Sequence, residues 1–317
     1  MTDAGFELVY EPARLPPREA TGHKGTFGSV LVIGGHASSA VEGPSARTML
    51  GAPALAATAA LRAGAGRAIL AMPEPILASG LVVCPSATGV GLPLDPRGLL
   101  DASGAAERID AACAEADAIV LGPGLGRGAA EERLVVRLVA REDHPIVLDA
   151  DGLSVLAGLA DFARDIRAPI VATPHPGEFR RIAEPLGIDI DPVHEDSRPA
   201  AAIALARRLG AVVVLKGPRT VVADGLRVAI NETGNAALAT GGSGDVLAGI
   251  VGGLIAQFAS QRISAASRMT LFDAARIAVR LHGLAAERWS ERNGTAGLLA
   301  RELCDELPSV LAEERGG

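Results

Sequence analysis

Three glycines, Gly241, Gly242 and Gly244, crowd the residues just before an apolar helical run, with Ser243 among them and Asp245 directly after. Glycine lets a backbone turn successive N–H groups to one side, and a helix N-terminus adds partial positive charge. Together they form a hole for the oxygens of a transferring phosphoryl group. Asp245, in the first turn of that helix, stands where a carboxylate can take a proton from a substrate hydroxyl. The same pattern also serves an ordinary helix start, because an acid in the first turn is favoured by the helix dipole alone.

Other segments carry chemistry-bearing side chains. Lys216, Gly217, Pro218, Arg219 and Thr220 follow the most apolar run of the chain. They therefore emerge at a strand's C-terminal end, where a flexible glycine and two cations suit a nucleotide's phosphates or the pocket for its base. A solvated turn has the same composition. In ATPHPGE (172–178), His175 and Glu178 are three residues apart; Glu178 could hold a magnesium ion through water, or Thr173 or His175 could cap a helix with the acid in its first turn. His-x-x-Glu is too little for a transition-metal site. Asp149 and Asp151 in DADGL (149–153) offer two carboxylates for a metal–water role, with a helix cap by Asp151 as the alternative. GPGLGRG (122–128) departs from the G-x-G-x-x-G spacing and contains a proline, so it reads as a glycine loop that admits a ligand close to the backbone rather than a standard Rossmann site.

These candidates need elements to position them. Short runs of Val, Ile and Leu predict strands at 29–33, 67–72, 118–121, 145–148, 169–172 and 211–215, each buried on both faces. Helices are expected near 46–63, 98–115, 129–140, 152–158, 176–185 and 197–209. A hairpin over 221–230 turns at Asp224–Gly225, and further helices follow near 244–259, 271–289 and 295–313. The alternation predicts a doubly wound, mostly parallel α/β sheet with helices on both faces. The candidate segments all follow strands, so the loops after 33, 121, 148, 172 and 215 should open on one edge and share a cleft. Residues 36–48 form a polar insertion in the first of those loops. Residues 1–20, rich in proline and charge, are expected to form an arm or a short helix, and 21–317 a single domain.

Composition removes several classes of function. The net charge is -7, and the aromatics number one Trp, one Tyr and six Phe. Without basic tracks or stacking platforms, nucleic acid is not an expected partner. The three cysteines (Cys84, Cys113, Cys304) are widely spaced, which excludes a disulfide framework or thiolate zinc cluster and fits a reducing cytoplasm. Residues 75–94 are uncharged and long enough to span a membrane, but their prolines and glycines argue against it. No secretory pattern opens the sequence.

Taken in order, several stretches resemble the ADP/ATP-dependent NAD(P)H-hydrate dehydratase family, a branch of the ribokinase-like superfamily. They are HKGTFGSVLVIGG (23–35), GAPALAATAALRAGAG (51–66), GPGLG (122–126), DADGL (149–153), TPHPGE (173–178) and VVLKGPRT (213–220), then GNAALATGGSGDVLAGIVGGLIAQ (234–257), LHGLAAE (281–287) and GLLARELCDELP (297–308). The resemblance runs from about residue 20 to the C-terminus. It implies repair of NADH or NADPH hydrated at nicotinamide C6: ADP or ATP phosphorylates the hydroxyl of the S form, and phosphate then leaves.

Carried over by position, Asp245 is the implied base, and Gly241, Gly242, Ser243 and Gly244 stabilise the phosphoryl charge. Lys216, Gly217, Pro218, Arg219 and Thr220, with Gly244, contact the nucleotide. Ala52, Gly124, His175 and Asp245 contact the hydrated dinucleotide, and Glu178 is the magnesium-associated carboxylate. The resemblance also implies a homo-oligomer, a tetramer. The epimerase domain of bifunctional relatives is not matched, so interconversion of the R and S hydrates is not expected. Two other readings share these residues: a ribokinase-like kinase of a thiazole or pyrimidine alcohol, and a nucleotide-binding regulator without turnover.

Overall fold

The computed structural model describes residues 5–43, 47–159 and 161–316; residues 1–4 of the expected arm and 44–46 of the insertion lie outside them. Its frame is a ten-stranded sheet. In chain order the strands are β1 (Glu7–Leu8), β2 (Ser29–Ile33), β3 (Arg67–Pro73), β4 (Thr88–Leu92), β5 (Ala118–Leu121), β6 (Ile146–Leu148), β7 (Ile170–Ala172), β8 (Val212–Leu215), β9 (Val221–Ala223) and β10 (Arg227–Ile230). Across the sheet the order is β1-β10-β9-β8-β7-β6-β5-β2-β3-β4. Strand β9 runs antiparallel to both its neighbours, and the other pairings among the described residues are parallel.

The helices are α1 (Gly51–Arg62), α2 (Glu74–Val83), α3 (Ala102–Cys113), α4 (Ala129–Val139), α5 (Asp151–Ala157), α6 (Pro176–Ala183), α7 (Arg198–Leu209), α8 (Ser243–Leu254), α9 (Leu271–Asn293) and α10 (Ala300–Glu314). They cover both faces of the sheet because the strands are apolar on both. Val30 and Val32 of β2 join a core with α1, α8, α9 and α10. Leu31 and Ile33 of the same strand join a second core with α3 to α7. This is the doubly wound architecture the alternation predicts. With few aromatics, helices approach closely: a Cβ added to Gly249 of α8 would lie 2.2 Å from the Ala56 carbonyl oxygen of α1.

Several boundaries differ from expectation for local reasons. α1 begins at Gly51 rather than near 46, after a β-bridge between His36 and Met49 closes the insertion at its base. α3 begins at Ala102, where the Asp101 side chain accepts the Ser103 N–H. α10 starts at Ala300, with the Glu302 carboxylate accepting the Leu299 N–H. α8 ends at Leu254 and one π-helical turn, Ile255–Ala259, follows. Residues 75–94, whose length matches a membrane span, are instead most of α2 followed by β4, and no helix among the described residues is long and apolar enough to cross a membrane. The described part of the arm contributes β1, paired in parallel with β10, rather than a helix.

Strands β2, β5, β6, β7 and β8 are parallel neighbours, so the loops that follow them emerge along one edge, as expected. The chain winds outward from β2 through β3 to β4 on one side and from β5 through β8 on the other. The gap between β2 and β5 is thus a topological switch point, where open α/β sheets bind ligands.

Candidate active site

The centre of that edge is a cluster of charge held by three successive strand ends. Lys216, just past β8, places its Nζ 2.7 Å from Asp149 Oδ1, beyond β6, and 3.7 Å from Glu178 Oε2 in α6. Thr173, beyond β7 and fully buried, donates its hydroxyl to Asp149 Oδ1 at 2.7 Å. Asp149 is itself only 1% exposed, so its charge requires these partners. Burial opposes the charge on Lys216, yet Asp149 and Glu178 together hold its ammonium above the ordinary lysine range.

α8 brings Asp245 to the same cluster. A Cβ added to Gly244 would lie 3.3 Å from Lys216 Nζ, so the first turn of α8 rests against the lysine. Burial pushes the Asp245 carboxyl up to about 7, reinforced by the nearby charge of Asp149 and partly offset by Lys216. Gly242 takes a positive φ of 91° at the helix start, a conformation that suits glycine, and turns the chain so that Ser243 and Gly244 begin the helix. Gly241 is exposed, and a Cβ there would meet nothing within 4 Å, so the loop opens to solvent on that side.

The capping reading of His175 and Glu178 holds. His175 caps α6 through Nδ1, which accepts the N–H groups of Gly177 and Glu178, while Glu178 Oε2 accepts the His175 N–H at 2.8 Å. That capping box also carries the buried Glu178 carboxylate to Lys216. Asp151 is no N-cap: Ala150 occupies that position, with φ of 51°. A non-glycine residue in that region stores strain, here between the two aspartates. Asp151 instead fixes the glycine loop, accepting the Gly126 N–H at 3.1 Å and Arg127 Nε at 2.7 Å.

Ala52 and Gly124 come together at the switch point, where a Cβ on Gly124 would lie 3.5 Å from that of Ala52 and 3.0 Å from that of Met49. The insertion therefore meets the Gly124 loop through Met49 at its base. His36, its first residue, pairs with Glu42 at 2.9 Å.

The 216–220 turn divides. Lys216 faces the cluster, while Gly217, Pro218 and Arg219 are exposed. Arg219, at φ of 52°, is bound by Glu232 and Glu195, so its guanidinium already has two acid partners. Thr220 Oγ1 closes the turn on the Gly217 carbonyl at 2.9 Å. Beneath it lies Arg198 of α7, 4% exposed, which donates to the carbonyls of Pro192 and Leu215.

Sequence reasoning singled out neither Arg198 nor His282, whose Nε2 is 3.1 Å from Ser243 Oγ, and it weighed Thr173 only as a helix cap, whereas its hydroxyl holds Asp149. A lone arginine at a helix start gives no local signal, and His282 lay inside the quoted LHGLAAE stretch without being weighed.

The family profile described as NAD(P)H-hydrate dehydratase matches residues 42–309. The ADP-dependent (S)-NAD(P)H-hydrate dehydratase of Neisseria meningitidis is 39% identical over 292 residues, covering 90% of this chain and 86% of that protein. The bifunctional NAD(P)H-hydrate repair enzyme Nnr of Moorella thermoacetica is 39% identical over 94% of this chain, which spans 52% of it; the chain covers about half the length of such bifunctional relatives. A crystal structure of the ADP/ATP-dependent NAD(P)H-hydrate dehydratase from Bacillus subtilis, co-crystallized with ATP/Mg2+, superposes with a TM-score of 0.71 at 30% identity over 95% of both chains. With matches of this extent, and a ribokinase-like sheet to carry them, the chain belongs to the NAD(P)H-hydrate dehydratase family.

Proposed function

We propose that this protein uses ADP or ATP to dehydrate the S form of NADH-hydrate and NADPH-hydrate, returning the intact reduced dinucleotide. The observation that carries the reading is Asp245 on the first turn of α8, beside Lys216 and the amides of Gly242, Ser243 and Gly244. A carboxylate that titrates near neutrality is matched to take a proton from an alcohol and to give it up again. Asp245 accepts the C6 hydroxyl proton as that oxygen attacks the terminal phosphorus of the nucleotide, and the bond from phosphorus to the remaining nucleotide breaks. Amides at the helix start and the Lys216 ammonium stabilise charge on the transferring group. Phosphate then leaves C6 with the C–O bonding pair, assisted by the lone pair of the ring nitrogen. Loss of a proton from C5 restores the double bond.

The rest of the cleft supplies binding. Lys216 to Thr220 and Gly244 hold the nucleotide, and Ala52, Gly124 and His175 contact the hydrated dinucleotide. The small residues at 52 and 124 leave room for a bulky ring at the switch point. Among the described residues, no group of three His, Cys, Asp or Glu side chains could hold a metal. Glu178 and Asp149 already accept bonds from His175, Thr173 and Lys216. Such acids fit magnesium held through water and the nucleotide's phosphates, and Glu178 would be the carboxylate that holds it. When bound, the ion neutralises phosphate charge.

Residues 21–317 form the catalytic unit in this reading and 1–20 an arm. The family resemblance supports a homotetramer, and the three free, buried cysteines suit the cytoplasm. Purified protein with ADP or ATP, magnesium and the S hydrate should restore absorbance at the reduced-nicotinamide band while releasing one inorganic phosphate per turnover. A stable phosphorylated product would indicate a small-molecule kinase instead, and nucleotide binding without turnover a regulator.

A further inference from the structure

One motif of the sequence has no part in the chemistry above: LHGLAAE at 281–287, in the middle of α9. In the structure its residues face the chain that leads into the α8 loop. The Thr233 hydroxyl donates to the Arg280 carbonyl at 3.1 Å. Gly283 allows that approach, since a Cβ there would lie 2.2 Å from Thr233 Oγ1. Glu287 Oε1 accepts the Gly234 N–H at 2.7 Å. His282, 7% exposed, reaches the loop itself: its Nε2 is 3.0 Å from the Ser243 carbonyl oxygen and 3.1 Å from Ser243 Oγ.

The protonation of that ring follows from its partners. A carbonyl oxygen only accepts, so Nε2 carries the hydrogen and donates it. With the donor shared between carbonyl and Oγ, Ser243 Oγ acts as acceptor toward the histidine, and its own hydrogen is left to point elsewhere. We infer that His282 is a positioning residue: it anchors Ser243 from behind so that the hydroxyl hydrogen and the neighbouring amides face the transferring phosphoryl group. Burial pushes the imidazole down to about 4, so it stays neutral across the working range and adds no charge behind the loop. The inference rests on the proposed reaction, in which Ser243 borders the phosphoryl site.

The test compares His282→Leu, His282→Gln and Ser243→Ala in the hydrate-dependent absorbance assay, with ADP affinity measured separately by calorimetry. Removing one donor to developing charge costs about 10²-fold in kcat, so Ser243→Ala should fall on that scale. His282→Leu should lose at least about tenfold in kcat with little change in ADP affinity. His282→Gln, which retains a side-chain N–H donor, should recover most of the loss. The double variant His282→Leu with Ser243→Ala should lose less than the product of the two single losses, because part of the histidine's effect passes through the serine hydroxyl. Wild-type kcat in a folded His282→Leu protein, or additive losses in the double variant, would overturn the inference. Should His282→Leu fail to fold, wild-type kcat in Ser243→Ala would overturn it equally. Absence of turnover in the unmodified protein would instead refute the reaction on which the inference is built.

Discussion

Asp245 sits at about 7 because burial and the Asp149 charge outweigh the attraction of Lys216. As a base it must be unprotonated, so kcat/KM should fall tenfold per pH unit below about 7 and level off above it. Replacing it by Asn should lower kcat by about 10³-fold, within the usual range for a general base, while leaving ADP affinity nearly unchanged. The same group has a stability signature. Its folded value lies above the unfolded one, so its contribution is fully present at low pH and is lost as the pH rises through about 7. Asp245→Asn should therefore raise the Tm at pH 8 by several degrees and change it little at pH 4, as followed by circular dichroism. Much of this site is legible in the residues, because Asp245, Ser243 and Lys216 interrupt apolar runs and stand out as polar groups beside buried strands. Arg219 shows what is not legible: Glu195 and Glu232, which bind it, are brought near by the fold and not by local sequence.

Among the elements, β2 and β5 match their apolar runs residue for residue, since strands covered on both faces must be apolar throughout. The segments that escape such a reading are α2 and β4. β4 is TGVGL at the sheet edge, half-exposed and glycine-rich, and α2 has Pro75 in its first turn and contains Gly80. Neither shows a period or a buried run. The contact that aims the α8 loop is between helices. Gly249 lets α8 lie against α1, with no space for a side chain beside the Ala56 carbonyl and the Ala59 methyl. Gly249→Val should destabilise the protein by about 3 kcal/mol in urea titrations, the upper end of ordinary overpacking costs. The shifted α8 should also raise KM for the nucleotide.

For the molecule as a whole, the parallel order of β8-β7-β6-β5-β2 brings five separate loops to one edge of the sheet, an outcome the order of strands and helices along the chain anticipated. The arm stands away from those loops. β1 extends the far edge beside β10, Phe6 is 7% exposed, and Arg207 donates to the Gly5 carbonyl at 2.8 Å. Removing residues 1–20 should lower the Tm by several degrees, through the loss of buried apolar surface, while kcat stays within about twofold. The chemistry itself is tested by following one atom. With oxygen-18 in the C6 hydroxyl of the S hydrate, phosphorylation of that oxygen followed by C–O cleavage must deliver the label to inorganic phosphate. Mass spectrometry of the released phosphate should find one oxygen-18 per turnover; label recovered in water, with unlabelled phosphate, would contradict the account.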